Sequence, residues 1–210
     1  MAKVNAPLFS FNAAGKLANS LVYFGWKGLD VVRSYVIPAN PKTAAQTTQR
    51  GYLTEAVAKI HACLALAVHP LDADDKAAYA VLASTRANPR TWFNEIAKVW
   101  MDVRKAVKIP IIYTDGTISD PTTTTIDLIM YINEKTAAQL AAGKFYFGTS
   151  KTSMIHSTAA TVVASTSVAL ANADLHLFLT AGEKYFVQFR PDAGDPCVGA
   201  ISGIYTFLAD

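Results

Sequence analysis

The chain has 210 residues, of which 51% are hydrophobic and only 17% are charged, and its formal net charge is +3. This composition excludes an intrinsically disordered chain, and the length is sufficient for one large domain or two small ones with cores of their own. No apolar run reaches the roughly 18 residues of a membrane-spanning helix. Residues 1–11 contain no apolar run of signal-peptide length. We therefore expect a protein without a membrane partner that is made and used in the cytoplasm, or packed there into a particle.

The charge is unevenly distributed along the chain. Residues 1–108 carry 14 Lys or Arg against 7 Asp or Glu, whereas residues 109–210 carry 5 against 9. Opposite charge on the two halves favours an oriented head-to-tail contact between copies, or one end facing an acidic surface. Alternatively, the charged side chains of both halves face solvent and contact no partner.

The first predicted element is a β-hairpin. Residues 20–24 and 29–37 are rich in β-branched and aromatic side chains, and the sequence Gly25-Trp26-Lys27-Gly28 between them is typical of a turn. An isolated hairpin is only marginally stable in water. This hairpin must therefore pack on its own helices or on a neighbouring subunit.

Three helices are predicted next, each with a start signal. The signals are a capping box of Thr43 and Gln46, a cap at Asp72, and Asn88 followed by Pro89. The predicted helices span residues 44–68, 73–84, and 88 to about 107. We expect a basic module of a hairpin plus about three helices, of α+β class, over residues 1–108.

Helical periodicity stops at Ile109, where Thr, Gly and aromatic residues become more frequent. The candidate strands are Ile109–Tyr113, Thr124–Ile132, Lys144–Gly148, Ala160–Ala164, Leu175–Leu179, Lys184–Arg190 and Ile201–Leu208. Short strands at this density predict a small all-β antiparallel sandwich over residues 109–210.

The sequence contains no motif for catalysis or for a cofactor. The four histidines, His61, His69, His156 and His176, have no second His or Cys at metal-binding spacing. We expect His69 to act as a cation at a helix C-terminus and His176 to lie on a strand face. We expect no enzyme activity, no catalytic residue, no metal and no cofactor. Cys63 and Cys197 lie in different predicted domains, and free buried thiols are favoured over a disulfide.

The N-terminal half resembles a module that recurs in uncharacterised proteins of tailed phages and prophages. The residues that carry the resemblance are Gly15-Lys16-Leu17, Trp26-Lys27-Gly28, Val31-Val32-Arg33-Ser34-Tyr35, Asn40-Pro41-Lys42-Thr43, and Gln46 with Gln49-Arg50. The resemblance covers about residues 13–106 and departs from the family at Trp92, where glycine is usual. It implies a virion-associated protein of the capsid or tail.

The C-terminal half is similar to a fibronectin type III sandwich, of Ig-like class. The matching segments are Tyr146-Phe147-Gly148-Thr149-Ser150 and Leu179-Thr180-Ala181-Gly182-Glu183-Lys184-Tyr185-Phe186. The second segment implies that Tyr185 forms a tyrosine corner, in which the hydroxyl group bonds to the backbone.

Three functions are compatible with the sequence. The first is a multi-copy bacteriophage structural protein, located in the virion and assembled in the host cytoplasm, whose N-terminal module anchors it to other copies and other capsid or tail proteins. The expected anchor residues are Tyr23, Trp26, Arg33, Tyr35, Arg50 and Trp92. The second is a nucleic-acid-binding accessory protein that uses the basic half, with aromatic rings between the cations. The third is a glycan-binding or host-adhesion module, with Tyr113, Tyr131 or Tyr205 as stacking platforms.

Overall fold

The computed structural model describes residues 2–3, 14–37, 39–40, 42–119, 127–132, 140–163, 166–170 and 179–209. The chain divides into two compact units, Met1–Thr43 and Ala44–Asp210. The predicted division at residue 108 therefore falls inside the second unit, which holds both the helices and the sandwich. None of the helices within the described ranges is long and apolar enough to span a membrane.

The first unit contains a four-stranded antiparallel sheet. Its strands are β1 (Ala2–Lys3), β2 (Gly15–Leu17), β3 (Leu21–Trp26) and β4 (Leu29–Ser34), in the spatial order β1-β4-β3-β2. The predicted hairpin is present, but its turn is only two residues long. Lys27 and Gly28 have φ values of 51° and 76°, as a type I′ turn requires, and glycine adopts this conformation without steric cost. Gly25 and Trp26 therefore belong to β3 and not to the turn.

The second unit begins with three helices, α1 (Ala44–Leu64), α2 (Ala73–Ser84) and α3 (Trp92–Lys105). The bounds of α2 agree with the prediction because Asp72 and Asp75 form a reciprocal capping box. Helix α1 ends four residues before the predicted end. Helix α3 begins later than predicted because Thr91, and not Asn88, is its N-cap and accepts a hydrogen bond from the Asn94 amide.

Two four-stranded antiparallel sheets follow the helices. Their strands are β5 (Tyr113–Ser119), β6 (Asp127–Ile132), β7 (Gly143–Gly148), β8 (His156–Ala159), β9 (Thr161–Val163), β10 (Ser167–Leu170), β11 (Lys184–Pro191) and β12 (Tyr205–Leu208). The spatial orders are β5-β6-β10-β9 and β12-β11-β7-β8. Side chains of both sheets, such as Leu128 and Val168 of the first and Phe145 and Phe189 of the second, share one core. The chain is thus α+β with sandwich-like sheets, as the sequence predicted at this level.

Several predicted strands differ in detail. The predicted strand 109–113 is an extended connection, and β5 starts where it was predicted to end. Strands β8 and β10 were not predicted, because their Ser, Thr and Ala residues give a weak strand pattern. Most of the predicted strand 175–179 lies outside the described residues.

Helix α2 joins the helices to the sandwich. It packs against β5 and β12, each of which is the outer strand of its sheet. The Ala78 carbonyl accepts a hydrogen bond of 3.0 Å from the Ile204 amide. A Cβ atom at Gly203 would lie 2.8 Å from the Ala78 Cβ, so only glycine permits this approach. The helix therefore lies along an edge of both sheets. Ala78 of α2 and Val99 and Val103 of α3 belong to the same hydrophobic cluster as the sandwich core, while most of the other buried helical side chains form a second cluster.

Both cysteines are free and buried, as predicted. Burial, together with the neighbouring Asp195 carboxylate, raises the pKa of the Cys197 thiol to about 12. At neutral pH this thiol is therefore protonated and a poor nucleophile.

Candidate functional site

Four of the six expected anchor residues lie in or next to the N-terminal sheet. Tyr23 is in β3, Trp26 ends β3, Arg33 is in β4, and Tyr35 follows β4 directly. The alternation of side chains along a strand decides which of them share a face.

The strand register places Trp26 and Arg33 on the same face of this sheet. Residues that lie directly opposite each other in antiparallel strands share a face. The opposed pairs on this face are Trp26 with Leu29, Phe24 with Val31, Val22 with Arg33, and Val22 with Lys16. We call these seven residues the anchor face. Tyr23 is paired with Val32 on the opposite face of the sheet, so the predicted anchor residues do not form a single surface.

The anchor face is apolar at its hairpin end and is exposed there. Trp26 and Leu29 are 53% and 46% exposed, whereas Val31, further along β4, is 5% exposed. Leu17, Val36 and Ile37 add further exposed apolar side chains to the same unit. An accumulation of large exposed apolar side chains is typical of a surface that another molecule covers.

The cations of this sheet are held against aromatic rings. The Arg33 guanidinium lies 5.5 Å from the centroid of the Phe24 ring, and the Lys16 ammonium lies 4.1 Å from that of Tyr35. Such contacts stabilise an exposed pair by about 0.5–1 kcal/mol. They also occupy one face of each ring. A base could therefore stack on that face only by displacing the cation.

Arg50 and Trp92 belong to the second unit. Arg50 lies on the exposed surface of α1. Trp92 is half-buried at the start of α3, edge-on to Phe93 at 5.6 Å, with the Lys76 ammonium 5.7 Å above its ring. Its contacts place Trp92 with the helical core. These two residues are therefore not part of the anchor face.

The three tyrosines expected to stack on glycans do not form a common exposed surface. Tyr113 and Tyr205 are 0% and 5% exposed. The ring of Tyr131 is stacked on His69, with centroids 3.3 Å apart. This expectation was wrong for Tyr113 and Tyr205, because strand alternation turns both side chains toward the core.

The histidines also differ from expectation. His69 is not at a helix end, since α1 stops at Leu64; it lies in the connection with a φ of 55°, and its Nδ1 atom is 2.5 Å from Asp115 Oδ2. His156 lies in β8 and stacks on Phe147. His176 is outside the described residues.

Asp75 is a key residue whose role the sequence did not reveal. It is fully buried and accepts hydrogen bonds from the amides of Asp115 (2.6 Å) and Gly116 (3.0 Å) in β5 and from the Tyr205 hydroxyl (2.6 Å) in β12. Burial raises the pKa of the Asp75 carboxyl, and these hydrogen bonds offset part of the rise. Three acidic residues at a helix start suggest only a helix-dipole role, so nothing in the sequence distinguishes Asp75 from Asp74.

Tyr185 makes the contact expected of a tyrosine corner. Its side chain is buried, and its hydroxyl oxygen accepts a hydrogen bond of 2.9 Å from the Thr180 amide. This bond fixes the backbone that leads into β11.

Within the described parts of the chain, no group of three or more His, Cys, Asp or Glu side chains could hold a metal ion. In the described part of the first unit, the anchor face combines the exposed apolar side chains of Trp26 and Leu29 with the cation Arg33. No family model matches the chain, and no curated protein or solved structure is significantly similar to it.

Proposed function

We propose that this chain is a structural component of a bacteriophage-like particle, present in many copies and without a catalytic role. In this proposal the N-terminal sheet docks on other copies or on other capsid or tail proteins, and the sandwich is displayed or bridges neighbours. The observation that carries the proposal is the exposed apolar end of the anchor face. The sequence resemblance of residues 13–106 to modules of tailed phages supports the choice of particle.

The scarcity of buried side chains in the first unit supports docking. Of the side chains that the structure describes in this unit, Val31 alone is buried. A small sheet needs a covered hydrophobic face to be stable in water. Covering Trp26 and Leu29 in an assembly would provide part of that burial, and aromatic residues are enriched in such interfaces.

The charge distribution supports a head-to-tail arrangement. Residues 1–43 contain five Lys or Arg and one Asp, whereas residues 109–210 contain an excess of acidic residues. The basic sheet of one copy would therefore be attracted to the acidic sandwich of the next.

We also propose that the sandwich is of the fibronectin III or Ig-like type. In Ig-like sandwiches strands A, B, E and D form one sheet and C, F and G the other. The orders β5-β6-β10-β9 and β12-β11-β7-β8 correspond to this arrangement if β8 is an added strand next to C. The hydrogen bond of Tyr185 to Thr180, near the start of the strand equivalent to F, supports the same assignment.

Fractionation of particles tests the proposed function. Phage-like particles are induced from the cell that carries this gene and separated on a density gradient, and each fraction is quantified by mass spectrometry. We expect the chain to sediment with the major capsid or tail proteins in many copies per particle. Recovery of the chain only among unassembled proteins at the top of the gradient would contradict the proposal.

A further inference from the structure

The second unit contains a cavity of about 390 Å³ between the end of α2, the turn that connects β7 to β8, and strand β11. Its volume is within the range of small-ligand sites. Leu82, Ile201 and Ile204 are the apolar residues of its lining, and Ile201 is the most exposed of the three. No Asp or Glu is among the described residues that line it, whereas three cationic residues do.

Two of these cations are guanidinium groups held in place by buried acceptors. Arg86 Nε donates to the fully buried Glu95 carboxylate at 2.8 Å, and Arg190 Nε donates to the side-chain oxygen of Gln188, which is 1% exposed, at 2.9 Å. The Arg190 guanidinium also lies 4.7 Å from the centroid of the Tyr146 ring. Because each Nε atom already donates a hydrogen bond within the protein, the two terminal nitrogens of each guanidinium group remain to bind an anion. Fixed donors of this kind lose little conformational entropy on binding.

The third cation and two hydroxyl groups complete the lining. The Lys151 ammonium is positioned by a hydrogen bond of 3.0 Å to Ser84 Oγ. Thr85 Oγ1 donates to the Leu82 carbonyl at 2.7 Å, which leaves its lone pairs available to accept from a ligand hydroxyl group. Thr152 contributes a second hydroxyl to the lining.

We propose that this cavity binds an anionic saccharide, a sugar unit that carries a carboxylate or a phosphate group. The cations would bind the acidic group, the threonine hydroxyls would bond to the sugar hydroxyls, and Ile201 would contact the C–H face of the ring. Nucleic acid fits less well, because single strands need free aromatic faces for base stacking, and Arg190 covers a face of Tyr146. This inference does not depend on the proposed function, since it uses residues of the second unit only.

Titration of the full-length chain, followed by NMR of its backbone amides, tests the proposal. The probes are glucuronate and glucose 6-phosphate, with glucose, acetate and inorganic phosphate as matched controls and a thymidine oligonucleotide as the rival ligand. We expect each charged sugar to bind at least about tenfold more tightly than glucose and than its matched simple anion, and to shift the amides of Thr85 and Thr152.

Substitutions then assign the site. Arg190→Gln and Lys151→Gln should each weaken binding of the charged sugars by about tenfold, while Lys105→Gln, which removes an exposed cation from α3, should leave it unchanged. Arg86 is retained because its loss would leave the buried Glu95 carboxylate with only the longer contact to Arg90, at 3.7 Å. The proposal is overturned if the charged sugars bind no better than acetate or phosphate, if the oligonucleotide binds more tightly, or if all three variants behave alike.

Discussion

Replacing Asp75 by alanine is expected to lower the free energy of unfolding by about 3–5 kcal/mol. The carboxylate is fully buried and joins the start of α2 to β5 and β12. Without it, the amides of Asp115 and Gly116 and the Tyr205 hydroxyl would lose their acceptor inside the protein. Buried donors without a partner are costly, and here these three lose their partner together with the Asp72 amide of the capping box.

Asp74→Ala is the matched control for this substitution. Asp74 lies in the same first turn of α2 but is exposed, so its loss should remove only a helix-dipole contribution of about 0.3–1 kcal/mol. Urea denaturation of both variants measures the difference. Equal destabilisation by the two substitutions would show that Asp75 does not connect the helices to the sandwich.

The effect of Asp75 should also depend on pH. Burial raises the pKa of Asp75 in the folded protein above the ordinary value of 3.8. The contribution of Asp75 to the free energy of unfolding is therefore greatest below pH 3.8, and it falls as the pH rises through the folded-state pKa. The difference in stability between the native chain and Asp75→Ala should therefore be larger in mildly acidic buffer than at neutral pH.

The second large effect, on the number of copies incorporated into particles, is expected for substitutions in the anchor face. Trp26→Ala and Arg33→Ala should leave a folded chain, since both side chains are exposed, but should reduce the number of copies incorporated into particles. Truncation of an aromatic or arginine residue at the centre of an interface typically costs about 2 kcal/mol or more, which corresponds to roughly thirtyfold weaker binding. Ile155→Ala is the control, because Ile155 is an equally apolar side chain, 78% exposed, in the second unit. Normal incorporation of Trp26→Ala and Arg33→Ala would refute the anchor assignment.

The sequence predicted those elements whose signals are local. Helix α2 was predicted with the correct bounds because Asp72 gives a cap signal, and the hairpin because β-branched and aromatic residues flank a Gly-containing turn. Strands β8 and β10 were missed because they are short and rich in Ser, Thr and Ala, and their place is set by pairing with distant strands.

The contact between the helices and the sandwich could not be predicted, because it depends on long-range packing. The signal at Asp72 predicts where α2 begins, but not that Ala78 meets Gly203 and Ile204 at the edge of the sandwich. In the same way, the hairpin pattern and the family resemblance identified Trp26 and Arg33 as candidates, while only the strand register shows that they share a face and that Tyr23 does not.

Hydroxyl-radical footprinting of Trp26 tests the central claim most directly, because it reports on the anchor face of the unmodified chain. Oxidation of Trp26 is compared in the isolated protein and in purified particles, with Ile155 as an internal reference on the second unit. We predict that Trp26, which is 53% exposed in the chain, is oxidised readily in the isolated protein and is strongly protected in the particle. Equal oxidation of Trp26 in both states would mean that the anchor face stays open in the assembly, and would contradict the account.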